Sequence, residues 1–356
     1  MKRTNFTILV ALTVGWALLA APLSAQFVYV ANHNSDNISA YRLNPKTGAL
    51  SAVTGSPFSA GTNPASLALH PSGRFLYVAN SGGDTVSGYS IDDKTGALSA
   101  VPLSPFATGI APEGVAVDPL GRFAYVTNFG DNTVSGYRID AKNGALTPVE
   151  ASPFSSVTPR SIAVDPKAEF VYVVNGNGNT VSAYRIDQKS GALTQVTGSP
   201  FATGQEPVAF TPTPSGKFAY VTSLTDETVS GYSIDHKSGT LTPLSASPVA
   251  TGGEPIGIAV DPNGKFTYVT NNSGNTVSGY RVDPLTGSLT PLPGSPFGVA
   301  SGPYAVAIDP TTQFAFVTST VPNTISAYLI DCDGYLTVSG SPLPTGATPV
   351  AIAITK

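Results

Sequence analysis

The sequence predicts an all-β protein folded as a seven-bladed β-propeller, with four antiparallel strands in each blade. Three observations favour this fold class: a repeat spanning the chain, strand-like segments within each repeat, and complementary termini. A segment built around Phe-x-Tyr-Val recurs seven times, with its central aromatic residue at Tyr29, Tyr77, Tyr125, Tyr172, Tyr220, Tyr268 and Phe316. The intervals are 48, 48, 47, 48, 48 and 48 residues, and strand-rich repeats of this length are typical of propeller blades.

Each repeat contains four strand-like segments, as residues 64–108 illustrate. The segments Ser66–Leu69, Phe75–Ala79, Thr85–Ile91 and Ala97–Leu103 are rich in apolar, β-branched and aromatic residues. Clusters of Gly, Pro, Asn, Asp and Ser separate them, which is the usual pattern of short strands joined by turns. No part of the chain beyond residue 25 has an apolar period of 3.6, so no helix is predicted there.

The two ends of the chain predict how the ring closes. After its first 25 residues the chain starts with a second strand, Phe27–Ala31, and it finishes with a first strand, Val350–Ile354. The C-terminal strand is therefore expected to complete the N-terminal blade, which leaves no open end in the ring.

Residues 1–25 are predicted to be a signal peptide and residues 26–356 the propeller. Lys2-Arg3 precedes an apolar segment at residues 8–21, and Leu23-Ser24-Ala25 provides small residues at a cleavage site. We therefore expect export to a periplasm or outside the cell, with no membrane attachment once the leader is removed. Loss of Lys2 and Arg3 changes the formal charge from −4 to −6.

Composition excludes several classes of function. Only 11% of residues are charged and the calculated pI is about 5.3, whereas nucleic-acid binding requires a basic surface. Cys332 is the only cysteine, which excludes an internal disulfide, and His33, His70 and His236 lie in different types of turn. We expect no metal site and no cofactor. The repeated Asp-x-x-Thr/Ser-Gly segment, as at Asp92, is interpreted as a turn rather than a calcium loop.

A functional site is predicted at one mouth of the central channel, where a proline leads into each first strand. In most repeats the residues flanking that proline are small or apolar. The exceptions come from five consecutive blades and are Glu113, Arg160, Glu206, Glu254 and Tyr304. Arg160 is the only basic residue predicted at this mouth, and it follows the one interval of 47 residues.

Two interpretations of these residues remain open. In a catalytic site, Arg160 would hold a carboxylate or stabilise an oxyanion, and Glu113 would act as a general base on water. Glu206, Glu254 and Tyr304 would then bind the ligand. Alternatively, Glu113 and Arg160 form an ion pair on the rim that contributes little to stability, and the other residues are solvated.

The tetrads Tyr125-Val126-Thr127-Asn128 and Tyr268-Val269-Thr270-Asn271, and the segment Asp92–Leu98 followed by Ser104-Pro105-Phe106, carry a resemblance to a family. The chain resembles the lactonase-type seven-bladed propellers, which include propeller-type 6-phosphogluconolactonases, and the Tyr-Val-Thr-Asn repeat propellers. The resemblance covers residues 26–356. It implies hydrolysis of a lactone at the channel mouth by Glu113 and Arg160. The family segment Gly-Pro-Arg-His reads Thr158-Pro159-Arg160-Ser161 here, so the arginine is matched and the histidine is not.

Two functions follow as expectations. The first is a non-catalytic, exported propeller, expected to be monomeric, that binds a small molecule, a glycan or a protein at its channel mouth. The second is a lactone hydrolase of the 6-phosphogluconolactonase-like type. The missing histidine favours the binding function.

Overall fold

The computed structural model describes residues 25–356, which form seven antiparallel sheets arranged in a ring. We call these sheets blades 1 to 7. Blade 1 contains residues 26–59 and 349–354, and the following blades contain residues 64–107, 112–155, 159–202, 207–250, 255–298 and 303–344. The first strands of neighbouring blades contact each other around the whole ring. The predicted fold class is therefore confirmed.

The first strand of each blade lines the central channel, and the second strand lies behind it. The first strands, from blade 2 to blade 7 and then blade 1, are Pro64–Leu69, Pro112–Val117, Pro159–Val164, Pro207–Pro212, Pro255–Val260, Pro303–Ile308 and Pro349–Ile354. The second strands, from blade 1, are Gln26–Asn32, Phe75–Asn80, Phe123–Asn128, Phe170–Asn175, Phe218–Ser223, Phe266–Asn271 and Phe314–Ser319. All second-strand residues are buried, because neighbouring blades cover both faces of the sheet.

The third strand of each blade pairs with two short strands that form the outer edge of the sheet. The third strands are Asn37–Leu43, Thr85–Ile91, Thr133–Ile139, Thr180–Ile186, Thr228–Ile234, Thr276–Val282 and Thr324–Ile330. The fourth strands are Leu50–Ala52, Leu98–Ala100, Leu146–Pro148, Leu193–Gln195, Leu241–Pro243, Leu289–Pro291 and Leu336–Val338. A two-residue strand follows each fourth strand: Phe58–Ser59, Phe106–Ala107, Phe154–Ser155, Phe201–Ala202, Val249–Ala250, Phe297–Gly298 and Leu343–Pro344.

The predicted fourth strand, Ala97–Leu103, was too long. The observed strand is Leu98–Ala100, and the edge resumes at Phe106–Ala107 on the same third strand. Leu103 has a φ of 66° and Pro105 has no N–H group for the ladder, so pairing is interrupted between the two segments. The prediction of no helix also needs a small correction, since His33–Ser35 forms one 3₁₀ turn.

The C-terminal strand closes the ring as predicted. Pro349–Ile354 pairs antiparallel with Gln26–Asn32, with Val28 opposite Ile354 and Val30 opposite Ile352. The Phe27 N–H group also donates to the Thr355 hydroxyl at 2.8 Å. The blade therefore joins residues from both ends of the propeller in one sheet.

Hydrogen bonds between blades explain the strict period of the tyrosines. Tyr29, Tyr77, Tyr125, Tyr172, Tyr220 and Tyr268 each donate from the phenol to a glycine carbonyl in the next blade, at 2.7–3.1 Å. That glycine is required in blade 2, because Gly96 has a φ of +77° and a Cβ there would lie 2.2 Å from the Phe27 ring. The Asp92 carboxylate of the same turn accepts from the N–H groups of Lys94 and Thr95, as expected of a turn aspartate.

The predicted leader lies outside the described residues except for Ala25. Within residues 25–356, no helix has the length and apolar character needed to cross a membrane.

Candidate functional site

All seven first strands line a cavity of about 320 Å³ at one mouth of the channel. The residue after the entry proline contributes from every blade, and in four blades it is a small or apolar residue: Ala65, Val208, Ile256 and Val350. The other three blades contribute Glu113, Arg160 and Tyr304. The structure therefore brings three of the five predicted site residues into one cavity.

A β-bulge directs these three side chains into the channel. Pro112 pairs with Asn128 and Gly114 pairs with Thr127, so Glu113 has no partner in the ladder between them. The pairing of the Arg160 and Tyr304 strands is interrupted at the corresponding place. Bulges of this kind reorient side chains beside functional sites.

A buried threonine fixes the backbone between Glu113 and Arg160. The Thr127 hydroxyl accepts from the Gly114 N–H group at 2.8 Å and donates to the Arg160 carbonyl at 2.7 Å. Thr270 makes the same pair of contacts to Gly257 and Tyr304, at 2.8 Å each. These bonds hold the positions of neighbouring first strands relative to one another.

The guanidinium of Arg160 has no acceptor among the described residues. Its side chain lies against Gly176, where a Cβ would come within 2.6 Å of Nε, and its Cζ lies 5.7 Å from the centre of the Phe129 ring. Nε is buried without a hydrogen-bond partner. The other arginines in residues 25–356 donate to carbonyl or carboxylate oxygens: Arg42, Arg74, Arg122, Arg138, Arg185 and Arg281. Arg160 therefore differs from them: its terminal nitrogens, which unlike Nε are not buried, have no acceptor among the described residues and can donate to a ligand.

Glu113 and Tyr304 lie within electrostatic range of Arg160 and of each other. Burial raises the pKa of the Glu113 carboxyl above its ordinary value, and the nearby Arg160 charge partly opposes that rise. Burial also raises the pKa of the Tyr304 phenol, with a further rise from Glu113 and an opposing effect of Arg160. An acid with a raised pKa beside a cation has the properties of a general base that also returns a proton.

Glu113 and Arg160 do not form the rim ion pair that was the alternative interpretation. Ion pairs closer than 4 Å form at Arg122–Asp118 and Arg281–Asp333, and neither Glu113 nor Arg160 takes part in one. The Arg160 charge influences Glu113 although the two side chains form no ion pair, and both line the cavity.

Glu206 and Glu254 lie outside the cavity lining. Each precedes the entry proline in a left-handed conformation, with φ of 48° and 53°. The Glu206 carboxylate accepts from the Thr225 hydroxyl at 2.6 Å, and Glu254 is exposed. Their role in binding stays a prediction.

The sequence reasoning missed Phe129 and Gly176, which support the Arg160 side chain. Both occupy the position after the second strand, where other blades have His33, Ser81, Leu224, Asn272 and Thr320. The residue at that position differs in every blade, so a comparison of the repeats does not single out Phe129 or Gly176. Ser161, in place of the family histidine, also lines the cavity.

The cavity offers no obvious metal site. No group of three or more His, Cys, Asp or Glu side chains in residues 25–356 is placed to hold a metal ion. The charged side chains lining the cavity are one carboxylate and one guanidinium.

The model of the family described as lactonase, 7-bladed beta-propeller, matches residues 17–109, 105–212 and 201–301. The chain belongs to this lactonase family. The resemblance inferred from the tetrads and the Ser-Pro-Phe segments is thereby confirmed. No curated protein matches the sequence significantly.

Solved structures share the fold of this lactonase-family chain at low sequence identity. A protein of Bacteroides uniformis proposed to be a 6-phosphogluconolactonase is 20% identical, with a TM-score of 0.82 over 93% of this chain and 100% of its own. The periplasmic gluconolactonase of Pseudomonas aeruginosa is 20% identical, with a TM-score of 0.80 over 94% and 98%. Hydrazine synthase of Kuenenia stuttgartiensis is 18% identical, with a TM-score of 0.63 over 86% and 95%. Because these names differ, the common fold does not specify an activity.

Proposed function

We propose that this lactonase-family propeller hydrolyses a lactone or a related cyclic ester at the channel mouth. The observation that carries the proposal is the Arg160 guanidinium, which has no acceptor among the described residues and shares a 320 Å³ cavity with Glu113 and Tyr304. A donor without a partner costs free energy unless a ligand or water satisfies it, and an ester carbonyl supplies a suitable acceptor.

The chemistry assigns a role to each group. Glu113 takes a proton from water, whose oxygen then adds to the lactone carbonyl carbon. Arg160 stabilises the negative charge that develops on the carbonyl oxygen. The ring C–O bond breaks as the tetrahedral intermediate collapses, and the proton held by Glu113 goes to the leaving alkoxide. The product is an open-chain hydroxy acid, and Glu113 returns to its starting state. The Tyr304 phenol donates a hydrogen bond to an oxygen of the substrate.

A panel of lactones followed by titration of released acid at constant pH tests this proposal. The wild-type protein should release acid faster than the uncatalysed reaction for at least one lactone, and Arg160→Ala should abolish most of that excess. If no lactone in a panel of sugar, alkyl and aromatic lactones is opened above background, the enzymatic function is rejected.

The second candidate function is binding of an anionic ligand without turnover. Ser161 favours it, because the family motif places a histidine there and this cavity has no imidazole among its lining residues. In this case the wild-type protein should capture a small carboxylate that the Arg160→Ala variant releases, with no acid production from any lactone.

We also propose that the protein acts after export. Lys2-Arg3 and the apolar residues 8–21 support this, and one structural relative is a periplasmic gluconolactonase. N-terminal sequencing of the protein from its native host tests export, with Gln26 expected as the first residue.

A further inference from the structure

A second cavity, of about 430 Å³, lies between blades 7 and 1 at the outer side of the ring. Its lining includes Gly48 and Leu50 of blade 1 and Ile325, Ala327, Ser339 and Leu343 of blade 7. We call it the seam cavity, because it borders blade 1, the blade that joins the two ends of the propeller. It shares no lining residue with the cavity at the channel mouth.

The same position between blades 5 and 6 is filled. The equivalent gap is lined by Gly231, Leu244 and Val249 of blade 5 and Gly287 and Leu289 of blade 6, and it measures only about 10 Å³. Leu244 fills it by packing beside the third strand, where a Cβ added to Gly231 would lie 3.0 Å from the Leu244 side chain. The gap between blades 5 and 6 is therefore a matched, closed version of the seam cavity.

Ser339 is the residue of blade 7 that corresponds to Leu244 of blade 5. In the other blades an apolar residue there donates its N–H group to the third strand: Val53, Val101, Val149, Val196, Leu244 and Leu292. Ser339 makes the same backbone bond, to the Ala327 carbonyl at 2.8 Å, so the position is equivalent. Its hydroxyl donates to the Thr47 carbonyl at 3.0 Å and does not fill the gap. The loop to the next short strand is also one residue shorter in blade 7 than in the others.

One leucine that lines the seam cavity is less buried than its counterparts in the other blades. The first residue of the fourth strand is buried in six blades: Leu98, Leu146, Leu193, Leu241, Leu289 and Leu336. The seventh is Leu50, which faces the seam cavity and is only half-buried. The cavity therefore has an apolar wall that the residues described by the structure leave uncovered.

The seam also lacks the tyrosine hydroxyl that bonds the other pairs of neighbouring blades. Six interblade tyrosines donate to a glycine carbonyl, and at the seam the donor is replaced by Phe316. The acceptor that remains is the Gly48 carbonyl, which has no hydrogen-bond donor among the described residues, and Gly48 lines the cavity. Two groups present at the matched gap are thus absent here: an isobutyl side chain and a phenol hydroxyl.

We propose that the seam cavity is a binding site for a small apolar molecule that carries one hydroxyl group. The apolar body would occupy the space that Leu244 fills in blade 5 and would cover Leu50, Ile325 and Leu343. The hydroxyl would donate to the Gly48 carbonyl in place of the missing tyrosine. This site is independent of the lactone chemistry at the channel mouth.

Binding of 4-methylphenol, measured by isothermal titration calorimetry, tests the proposal. The wild-type protein should bind one equivalent in a saturable manner, and Arg160→Ala should bind equally well because the channel is a separate site. Ser339→Leu should weaken binding at least about tenfold by filling the cavity, since an isobutyl group occupies the space of the apolar body. Phe316→Tyr, which supplies the hydroxyl from the protein, should also weaken it.

Matched controls separate the cavity from a general surface effect. Thr337→Leu adds the same side chain at an exposed position two residues earlier in the chain and should leave affinity unchanged. Leu244→Ala opens the gap between blades 5 and 6 and should add a second, weaker equivalent. If the wild-type protein shows no saturable binding, or if both Ser339→Leu and Phe316→Tyr bind with wild-type affinity, the proposed site is rejected.

Discussion

Glu113 and Arg160 occupy the same position in neighbouring blades, one residue after the entry proline, yet they form no ion pair within 4 Å. Both side chains instead face the cavity. Burial raises the pKa of Glu113, and the Arg160 charge opposes that rise. Because Glu113 does not bind Arg160, the guanidinium keeps its terminal N–H groups for a ligand, whereas a closed ion pair would occupy them.

Arg160→Ala should reduce turnover of the best lactone by about 10²–10³-fold, because it removes the group proposed to stabilise the oxyanion. Arg160→Lys should recover little of this, since lysine lacks the planar, bidentate donors. Arg138→Ala is the matched control, because Arg138 donates to a backbone carbonyl of the next blade and lies away from the cavity. Arg138→Ala should keep its turnover, and an equal loss in both variants would contradict the assigned role. Steady-state rates and circular dichroism provide the measurements.

Glu113 should set the acidic limb of the pH profile. The base works when it is ionised, so kcat/KM should fall as pH drops through the raised pKa of Glu113. Arg160 lowers that pKa, and its loss in Arg160→Ala should therefore shift the limb of the residual activity to higher pH. Glu113→Gln should lower kcat and remove the limb. A profile in Glu113→Gln with the same limb as the wild type would show that another group titrates.

Glu113→Gln should also change how stability depends on pH. The folded-state pKa of Glu113 is raised, so ionisation of this carboxyl disfavours the folded state as pH rises from the unfolded pKa through the folded one. The free energy of unfolding of the wild type, relative to Glu113→Gln, should decrease over that interval and then become constant. Urea titrations at several pH values measure it, and parallel pH dependences would contradict it.

Removing an interblade tyrosine hydroxyl and adding one should have opposite effects on the free energy of unfolding. Tyr77→Phe should lower the free energy of unfolding by about 1 kcal/mol, because it removes the bond to the Gly144 carbonyl. Phe316→Tyr should raise it by a similar amount, because it adds the bond that the seam lacks. Urea unfolding measures both. A destabilising Phe316→Tyr would mean that the seam has no room for the phenol.

Deleting residues 349–356 should lower the melting temperature by roughly 5–10 °C, because it exposes the Gln26–Asn32 strand and its apolar face. Adding a peptide of residues 349–356 should restore part of the loss, which would attribute the effect to the strand itself. Unchanged melting after the deletion would refute the role of this strand in closing the ring.

If the leader is removed, the mature protein contains no tryptophan, because Trp16 is the only tryptophan in the sequence. The mature protein should emit with a tyrosine spectrum only. A tryptophan band in the protein purified from its native host, together with an N-terminus before Gln26, would contradict cleavage after Ala25.

Much of this fold follows from the repeat alone. The spacing of Tyr29 and its counterparts predicts the number of blades, and the first and last strands predict the closure, because both depend on local patterns repeated seven times. The site follows in part: the proline-flanking positions locate Glu113, Arg160 and Tyr304, since a side chain entering a channel must replace a small residue. They also select Glu206 and Glu254, which lie before the proline in a left-handed conformation and outside the cavity lining. The β-bulge gives the residue after the proline a different orientation from the residue before it. The bulge depends on pairing between strands, which the linear pattern of residues does not show.

The threonine bonds that hold the first strands have a consequence for redesign. Thr127 bonds to the backbone of Gly114 and Arg160, and Thr270 bonds to the backbone of Gly257 and Tyr304. The positions of these first strands therefore depend little on which side chain follows the entry proline. Seven such positions converge on one cavity: Ala65, Glu113, Arg160, Val208, Ile256, Tyr304 and Val350. We expect a library that varies these seven codons to change the chemistry of the cavity while the scaffold is retained.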